Sequence, residues 1–369
     1  VVLSRGLGDV YKRQGILSNK KIGIIGGGIT GVVTAIFLAR AGNKVTIFDK
    51  NKLLSETSSS TTKLLHGGIR YLENLQIKEV RNGLNDRHWW LKNFPNNTSA
   101  IEIFIPFKNN FSIRFIKYFI GIKLYEFLSF KKKLGFGKII FGSRNVMKNQ
   151  EMNFLNFLSF IDGYMDDELL SEKLRDELSR LDVEIYENYE VNDFNLSGAV
   201  NNFNFDNVIL ASGPWNKILL DKNNLKTDKD IDLIKGSHLV IDRKINRAYM
   251  FEAICKKRYI FALPYKNNTL LGTTEKRTDS PDTPIIDEDE KDYLIQSYNS
   301  FFSKQISSEN ILYNYSGVRP LIKSNKKNFH NSSRDFYIDQ NEKLICVFGG
   351  KWTTAPSIAK KIVTIINNG

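Results

Sequence analysis

One short run constrains this chain more than any other. Gly26-x-Gly28-x-x-Gly31 sits between an apolar strand at residues 21–25 (KIGII) and an apolar helical stretch at 32–40. Gly42 and Asn43 close that stretch, and residues 44–48 (KVTIF) read as a second strand, so the three pieces form a βαβ unit. In such a unit the first glycine permits the tight turn and the second lets the backbone approach a diphosphate. The third lets helix and strand pack closely. The helix N-terminus adds free N–H groups and the positive end of its dipole. Asp49 ends the second strand, 18 residues after Gly31, where a carboxylate can accept from ribose hydroxyls. The spacing predicts dinucleotide binding; the alternative is a tight βα turn with no ligand.

The rest of the pattern surrounds this unit. Helices are predicted at 75–93, ending before Pro95, and at 163–180, with Leu169, Leu170, Leu174 and Leu178 at helical spacing. Residues 183–186 and 207–211 (NVILA) read as strands returning to the first unit. Residues 235–242, 259–264 and 269–274 read as antiparallel strands, with a turn at Asn267-Asn268. A helix at 287–304, a strand at 344–348, Gly349-Gly350 and a helix at 357–366 close the chain. At 369 residues two domains are expected. The expectation is an α/β and α+β fold. Residues 20–95, 160–230 and 335–369 form a discontinuous Rossmann-like cofactor domain, and 231–334 an inserted antiparallel-sheet substrate domain. Residues 96–159 form a basic aromatic lid or membrane-facing segment.

Composition removes several classes. The chain is 41% apolar and 25% charged, which excludes wholesale disorder. No run of 18 uncharged apolar residues offers a membrane-spanning helix. Two cysteines, Cys255 and Cys346, exclude a disulfide scaffold and a cysteine-rich metal site and point to a reducing compartment. No metal site is indicated. Residues 1–19 stand apart: Asp9–Gln14 (DVYKRQ) is what one frame of the sequencing-adaptor end GATGTGTATAAGAGACAG encodes, so this stretch is read as non-native. Removing the first 14 residues takes the net charge from +13 to +11.

Residues 57–71 read TSSSTTKLLHGGIRY, a hydroxyl-rich loop, a cation and a His-Gly-Gly turn. On the residues alone this is a flexible solvated loop or a wall for a flat ring. The segment resembles the FAD-dependent glycerol-3-phosphate dehydrogenases of the D-amino-acid-oxidase-like flavoprotein superfamily. The likeness continues in order through GYMDD (163–167), ASGPW (211–215), IKGSHLVI (234–241), IFALPY (260–265), LGTTE (271–275), YSGVRPL (315–321), SSRDFY (332–337) and FGGKWTT (348–354). The sequence departs from that family in three places. The C-terminal helical domain of its longer bacterial members has no counterpart, Ala355-Pro356 replaces the usual Tyr-Arg, and residues 101–142 match loosely.

The resemblance implies FAD as cofactor, held by Gly26, Gly28, Gly31, Asp49, Thr57, Ser58, Thr62, Lys63, Leu65, His66, Gly67, Val191, Gly213, Gly349, Gly350, Thr353 and Thr354. Val191 would meet the adenine through its backbone. Gly349-Gly350, before the last helix, would steady negative charge on the reduced flavin; Thr353 and Thr354 would bond the isoalloxazine, with a plain helix cap as the alternative. The implied reaction oxidises sn-glycerol 3-phosphate to dihydroxyacetone phosphate, with hydride passing to flavin N5 and electrons to a quinone. Arginine offers phosphate a rigid two-pronged donor. Arg319, framed by Gly317 and Pro320, is the first choice for that role, with Arg334 and Lys351 beside it. His238, in KGSH, is the expected base and His66 its rival; on the residues alone, a lone histidine before an apolar strand is more often a hydrogen-bonded structural one. Arg70 and Tyr71 are expected on the substrate side of the flavin, Arg70 as a catalytic group.

Residues 101–141 carry eight Lys and Arg against two Glu, a local +6 interleaved with Phe and Ile. That composition suits an anionic membrane surface, although the charges do not fall on one helical face. A lid with solvated lysines is the alternative, and no nucleic-acid module is recognisable. The expected setting is cytoplasmic, peripheral on the inner face of the cytoplasmic membrane, with a homodimer as one option. The rival functions are a glycerol-3-phosphate oxidase using O2, a related amine or hydroxy-acid oxidoreductase, and a truncated inactive flavoprotein.

Overall fold

The structure is a computed structural model that describes residues 19–109, 112–132, 134–142, 151–152, 156–255, 258–323 and 336–368. Its centre is β1 (Lys21–Ile25), which leads through the glycine turn into α1 (Ile29–Arg40) and then β2 (Lys44–Phe48). β1 pairs in parallel with β2 on one side and with the strand Asn207–Leu210 on the other, placing Ile24 between Ile47 and Ile209. The six-stranded sheet runs Phe336–Asn341, Leu344–Gly349, Asn207–Leu210, β1, β2, Glu184–Tyr186. Only the first of these is antiparallel to its neighbour. Strands covered on both faces read as continuous apolar runs, and KIGII, KVTIF and NVIL do so because each is buried beyond its first residue.

α1 buries Ile29, Val32, Val33, Ile36 and Phe37. It packs against the closing helix Ala355–Asn368, whose Ile358, Ala359, Ile362, Val363 and Ile366 are buried in the same core. The cofactor domain is thus discontinuous, as expected.

A second sheet has ten strands. Along its path lie Lys276–Arg277, Ile231–Ile241, Asn268–Gly272, Tyr259–Tyr265, Ala248–Glu252, Thr98–Phe107, Asn156–Met165 and Leu64–Leu65. Ile311–Ile322 also pairs with Ile231–Ile241, and Ile139–Phe141 with Asn156–Met165. Here the structure differs from the expected separate lid at 96–159. Thr98–Phe107 and Asn156–Met165 form a ten-residue antiparallel pair that joins this sheet through Ala248–Glu252. The reason is packing: Ile103, Ile105 and Phe107 share one core with Leu158, Phe160, Val240 and Leu263.

Between those strands the helix Ile113–Leu128 is capped by Ser112, whose side chain accepts from Phe115 N. It buries Phe115, Ile122 and Tyr125 and leaves Ile113, Ile116, Ile120 and Phe127 exposed. Part of the local +6 is paired: Arg114 with Glu252, Lys123 with Glu126, Lys138 with Glu102.

The helix expected from residue 163 begins instead at Asp167, with Asp166 accepting from Leu169 N as its cap. Gly163 belongs to the strand, where a Cβ would meet Leu65 O at 2.8 Å.

Candidate active site

The glycine turn is fixed by contacts that only glycine allows. Gly26 has φ +108°, and a Cβ there would lie 2.6 Å from Ala211 O. A Cβ on Gly31 would collide with the Gly26 carbonyl oxygen. Gly28 is different: its missing side chain leaves space facing only Ser58 Oγ, 3.3 Å away. That open face, at the N-cap of α1, borders a cleft of about 500 Å³. Asp49 lines the cleft, but its carboxylate already accepts from Gly27 N (2.6 Å) and Asn51 N (2.8 Å), so it braces the glycine turn. Burial raises its pKa against the pull of those two amides.

The hydroxyl-rich run is not a loose solvated loop. Thr57, Ser58, Thr61 and Thr62 all line the cleft, and each is tied to another part of the chain. Thr57 Oγ1 donates to Val318 O, and Ser58 Oγ accepts from Ile29 N at 2.9 Å. Thr61 Oγ1 donates to Asp167, and Thr62 Oγ1 lies 2.8 Å from His238 Nε2. Four of the expected cofactor contacts sit behind the wall of the cleft. Gly31 packs the turn, Leu65 is fully buried, and Lys63 is buried in an ion pair with Asp167 at 2.5 Å. Gly67 turns its N–H to Asp162 Oδ1 at 3.1 Å.

That last bond exposes a support that the sequence did not reveal. Arg87 and Asp162, each with 1% side-chain exposure, pair at 3.0 Å, and Tyr125 OH donates to the same carboxylate. A Cβ on Gly83 would meet Gly67 O at 2.7 Å, so the His-Gly-Gly turn lies directly on the helix Ile77–Asn93. Arg87 sits in a polar stretch of that helix, 75 residues from Asp162, and local spacing carries no signal of their meeting.

The other end of the cleft is cationic. Arg319 donates through Nη2 to Thr273 Oγ1 (2.9 Å), and its Nη1 lies 3.6 Å from Glu275 Oε1. Arg258, also on the wall and missed by sequence reasoning, pairs with the other Glu275 oxygen at 2.7 Å. Arg70 stacks over the Tyr259 ring at 5.3 Å, and His66 lies on the same wall. Lys351 donates to Tyr71 OH at 3.1 Å. Tyr71 and Thr354 line a smaller cavity next door, which Lys351 also borders. Lys351 N donates to Thr354 Oγ1, while buried Thr353 faces the main cleft. Gly349 (φ +73°) and Gly350 (φ +88°) make the bend before the closing helix, and Gly213 and Val191 complete the far wall. Arg334 lies outside the described residues.

His238 is fully buried and does not line the cleft. Its ring stacks on Tyr315, with centroids 4.9 Å apart. Burial, and then the charges of Arg319 and Lys63, hold its pKa well below that of an ordinary histidine, so the ring is neutral at pH 7.

The cleft therefore joins a phosphate-accepting helix start to a cation-rich end through hydroxyls and two glycine bends, a donor set that fits a flavin dinucleotide. A model of the FAD dependent oxidoreductase family matches residues 21–365, and the chain belongs to that family; FAD is its cofactor. Within that class it is 30% identical over 361 residues to a glycerol-3-phosphate dehydrogenase of Pseudomonas tolaasii, covering 92% of this chain and 70% of that protein. It is 30% identical over 369 residues to an aerobic glycerol-3-phosphate dehydrogenase of Escherichia coli (strain K12), covering 93% and 72%. Two solved structures share the fold. A glycerol-3-phosphate dehydrogenase from Bacillus halodurans complexed with FAD superposes with a TM-score of 0.72 at 22% identity, covering 97% of this chain and 67% of that one. The dithionite-reduced L-alpha-glycerophosphate oxidase from Mycoplasma pneumoniae, with FAD bound, gives 0.74 at 19% identity and 95% of each chain.

Proposed function

We propose that this FAD-dependent oxidoreductase oxidises sn-glycerol 3-phosphate to dihydroxyacetone phosphate and passes the electrons to a quinone. The observation that carries this reading is the group of cations at one end of the cleft: Arg70, Arg258, Arg319 and Lys351. A phosphate monoester brings roughly −1.5 to −2 charge at pH 7 and requires several cations when desolvated, whereas a carboxylate substrate needs only one. FAD, when bound, accepts the hydride from the substrate carbon. Arg319 and Lys351, with Arg334, hold the phosphate. Arg70 and Tyr71 close the substrate side, and His238 or His66 receives the hydroxyl proton.

The exposed Ile113, Ile116, Ile120, Phe127, Phe130, Phe136 and Phe141 support an anionic membrane surface as the place of electron delivery, because they interleave with basic residues. No helix among the described residues is long and apolar enough to cross a membrane. The second reading, O2 as acceptor, draws on the Mycoplasma pneumoniae oxidase, whose match covers 95% of each chain.

Anaerobic addition of sn-glycerol 3-phosphate tests the first half-reaction: the visible flavin absorbance is expected to bleach. A yellow protein that does not bleach rejects the substrate assignment. Reoxidation by a soluble quinone against O2 then separates dehydrogenase from oxidase.

A further inference from the structure

His238 has no exposed surface and no place on the cleft wall, yet its Nε2 lies 2.8 Å from a hydroxyl that does line it. That hydroxyl belongs to Thr62. The remaining ring atoms are closed in. Tyr315 stacks on one side, and across the sheet a Cβ on Gly272 would run into the imidazole. Nδ1 has no hydrogen-bond partner among the described residues. Thr62 thus touches both the cleft and this imidazole.

We propose that Thr62 is a proton relay, taking the alcohol proton of the substrate and handing its own hydroxyl proton to His238. The inference rests on the reading that an alcohol is oxidised in this cleft. In the step, the substrate O–H bond breaks and its proton moves to Thr62 Oγ1. The Thr62 hydroxyl proton moves to Nε2, and Nδ1 carries the other ring hydrogen. The released O–H electron pair closes the carbonyl, while the C–H hydrogen leaves with its electron pair to the oxidised flavin. One alcohol thus yields one carbonyl, one hydride on the flavin and one proton on His238.

The surroundings of the ring give the relay a direction. The cations facing it are Arg319, from Ile311–Ile322, and Lys63, beside Leu64–Leu65. Lys63 is already paired with Asp167. Arg319 has its Nη1 3.6 Å from Glu275 Oε1, and a substrate phosphate on Arg319 would bring further negative charge beside the ring. Binding of a phosphorylated alcohol and the readiness of His238 to accept a proton are therefore coupled.

The test uses the FAD-loaded protein with Thr62→Val and Thr62→Ser. Thr62→Val keeps the shape and loses the hydroxyl. It is expected to retain FAD but to slow anaerobic bleaching by sn-glycerol 3-phosphate about 100- to 10,000-fold, the range of a lost general acid–base step. Thr62→Ser is expected to stay within about tenfold of wild type, since its hydroxyl can occupy the same position. A readout without turnover accompanies it: the imidazole ¹⁵N spectrum of substrate-free protein. The chain has four histidines, and His238→Gln assigns the signal. The Nε2 resonance is expected to move in Thr62→Val and not in Thr62→Ser. A Thr62→Val protein that bleaches at the wild-type rate, leaves that resonance in place, or loses FAD overturns the relay. A wild type that the substrate does not bleach removes the alcohol reading itself, a different failure.

Discussion

Arg319 and His238 were both recognisable from short motifs, but the structure gives them different surroundings. Arg319 reaches the cleft and already engages Thr273. Arg319→Ala is expected to raise KM roughly ten- to hundredfold while FAD stays bound, the equivalent of about 1.5–3 kcal/mol for a charge-assisted hydrogen bond; steady-state kinetics beside the flavin spectrum would check it. A motif gives a residue's direction along the chain but not its depth, and the burial of His238 is set by Thr62 and Tyr315, which are distant in sequence. The same limit hid Asp86. Its carboxyl is 2% exposed, accepts from Ser357 Oγ at 2.7 Å, and is pushed by burial up to about 6. Between the unfolded value of 3.8 and about 6 the folded chain binds more protons than the unfolded one, so this group lowers stability as pH rises through that window. Asp86→Asn is therefore expected to raise Tm at pH 7.5, with the advantage shrinking toward pH 5; thermal unfolding at both pH values decides it.

At the scale of elements, strands with strong local signals were legible. β1, the turn and β2 fall where spacing put them, because a parallel strand buried on both faces leaves a continuous apolar run. The segment at 96–159 was not legible: its aromatic and basic content suggested a surface, while its alternate residues build a sheet core. Which strand a half-polar run joins depends on partners far along the chain, here Ala248–Glu252. Helix-to-turn packing is another such long-range match. A methyl group on Gly83 has no room beneath the Gly67 carbonyl, and overpacking of this kind costs about 1–3 kcal/mol. Gly83→Ala is expected to lower Tm and weaken FAD retention together; scanning calorimetry and flavin release on dilution would show both, and a fall in Tm alone would mean the turn absorbs the strain.

For the whole molecule, the net charge of +13 divides into pairs, site and surface. Arg114, Lys123 and Lys138 are held by glutamates, and Arg319 and Lys351 belong to the cleft. What remains on the helix Ile113–Leu128 is an exposed apolar face beside the exposed Lys117. Ile116→Glu with Ile120→Glu is expected to release the protein from anionic vesicles in a sedimentation assay and to leave turnover with a soluble dye unchanged. Vesicle binding of the unaltered protein should also weaken as salt rises, since charges near the surface are screened within about 8–10 Å at physiological ionic strength.

The position of β1 has a further consequence, for synthesis. Its neighbour Asn207–Leu210 pairs in turn with Leu344–Gly349, which begins about 320 residues after β1. At roughly 5–20 residues per second, a ribosome needs about 15–60 s to deliver that last strand after β1 emerges. During that interval the nascent chain carries an apolar strand and an unfinished cofactor cradle, so a complete flavin cradle exists only once Leu344–Gly349 has been made and paired.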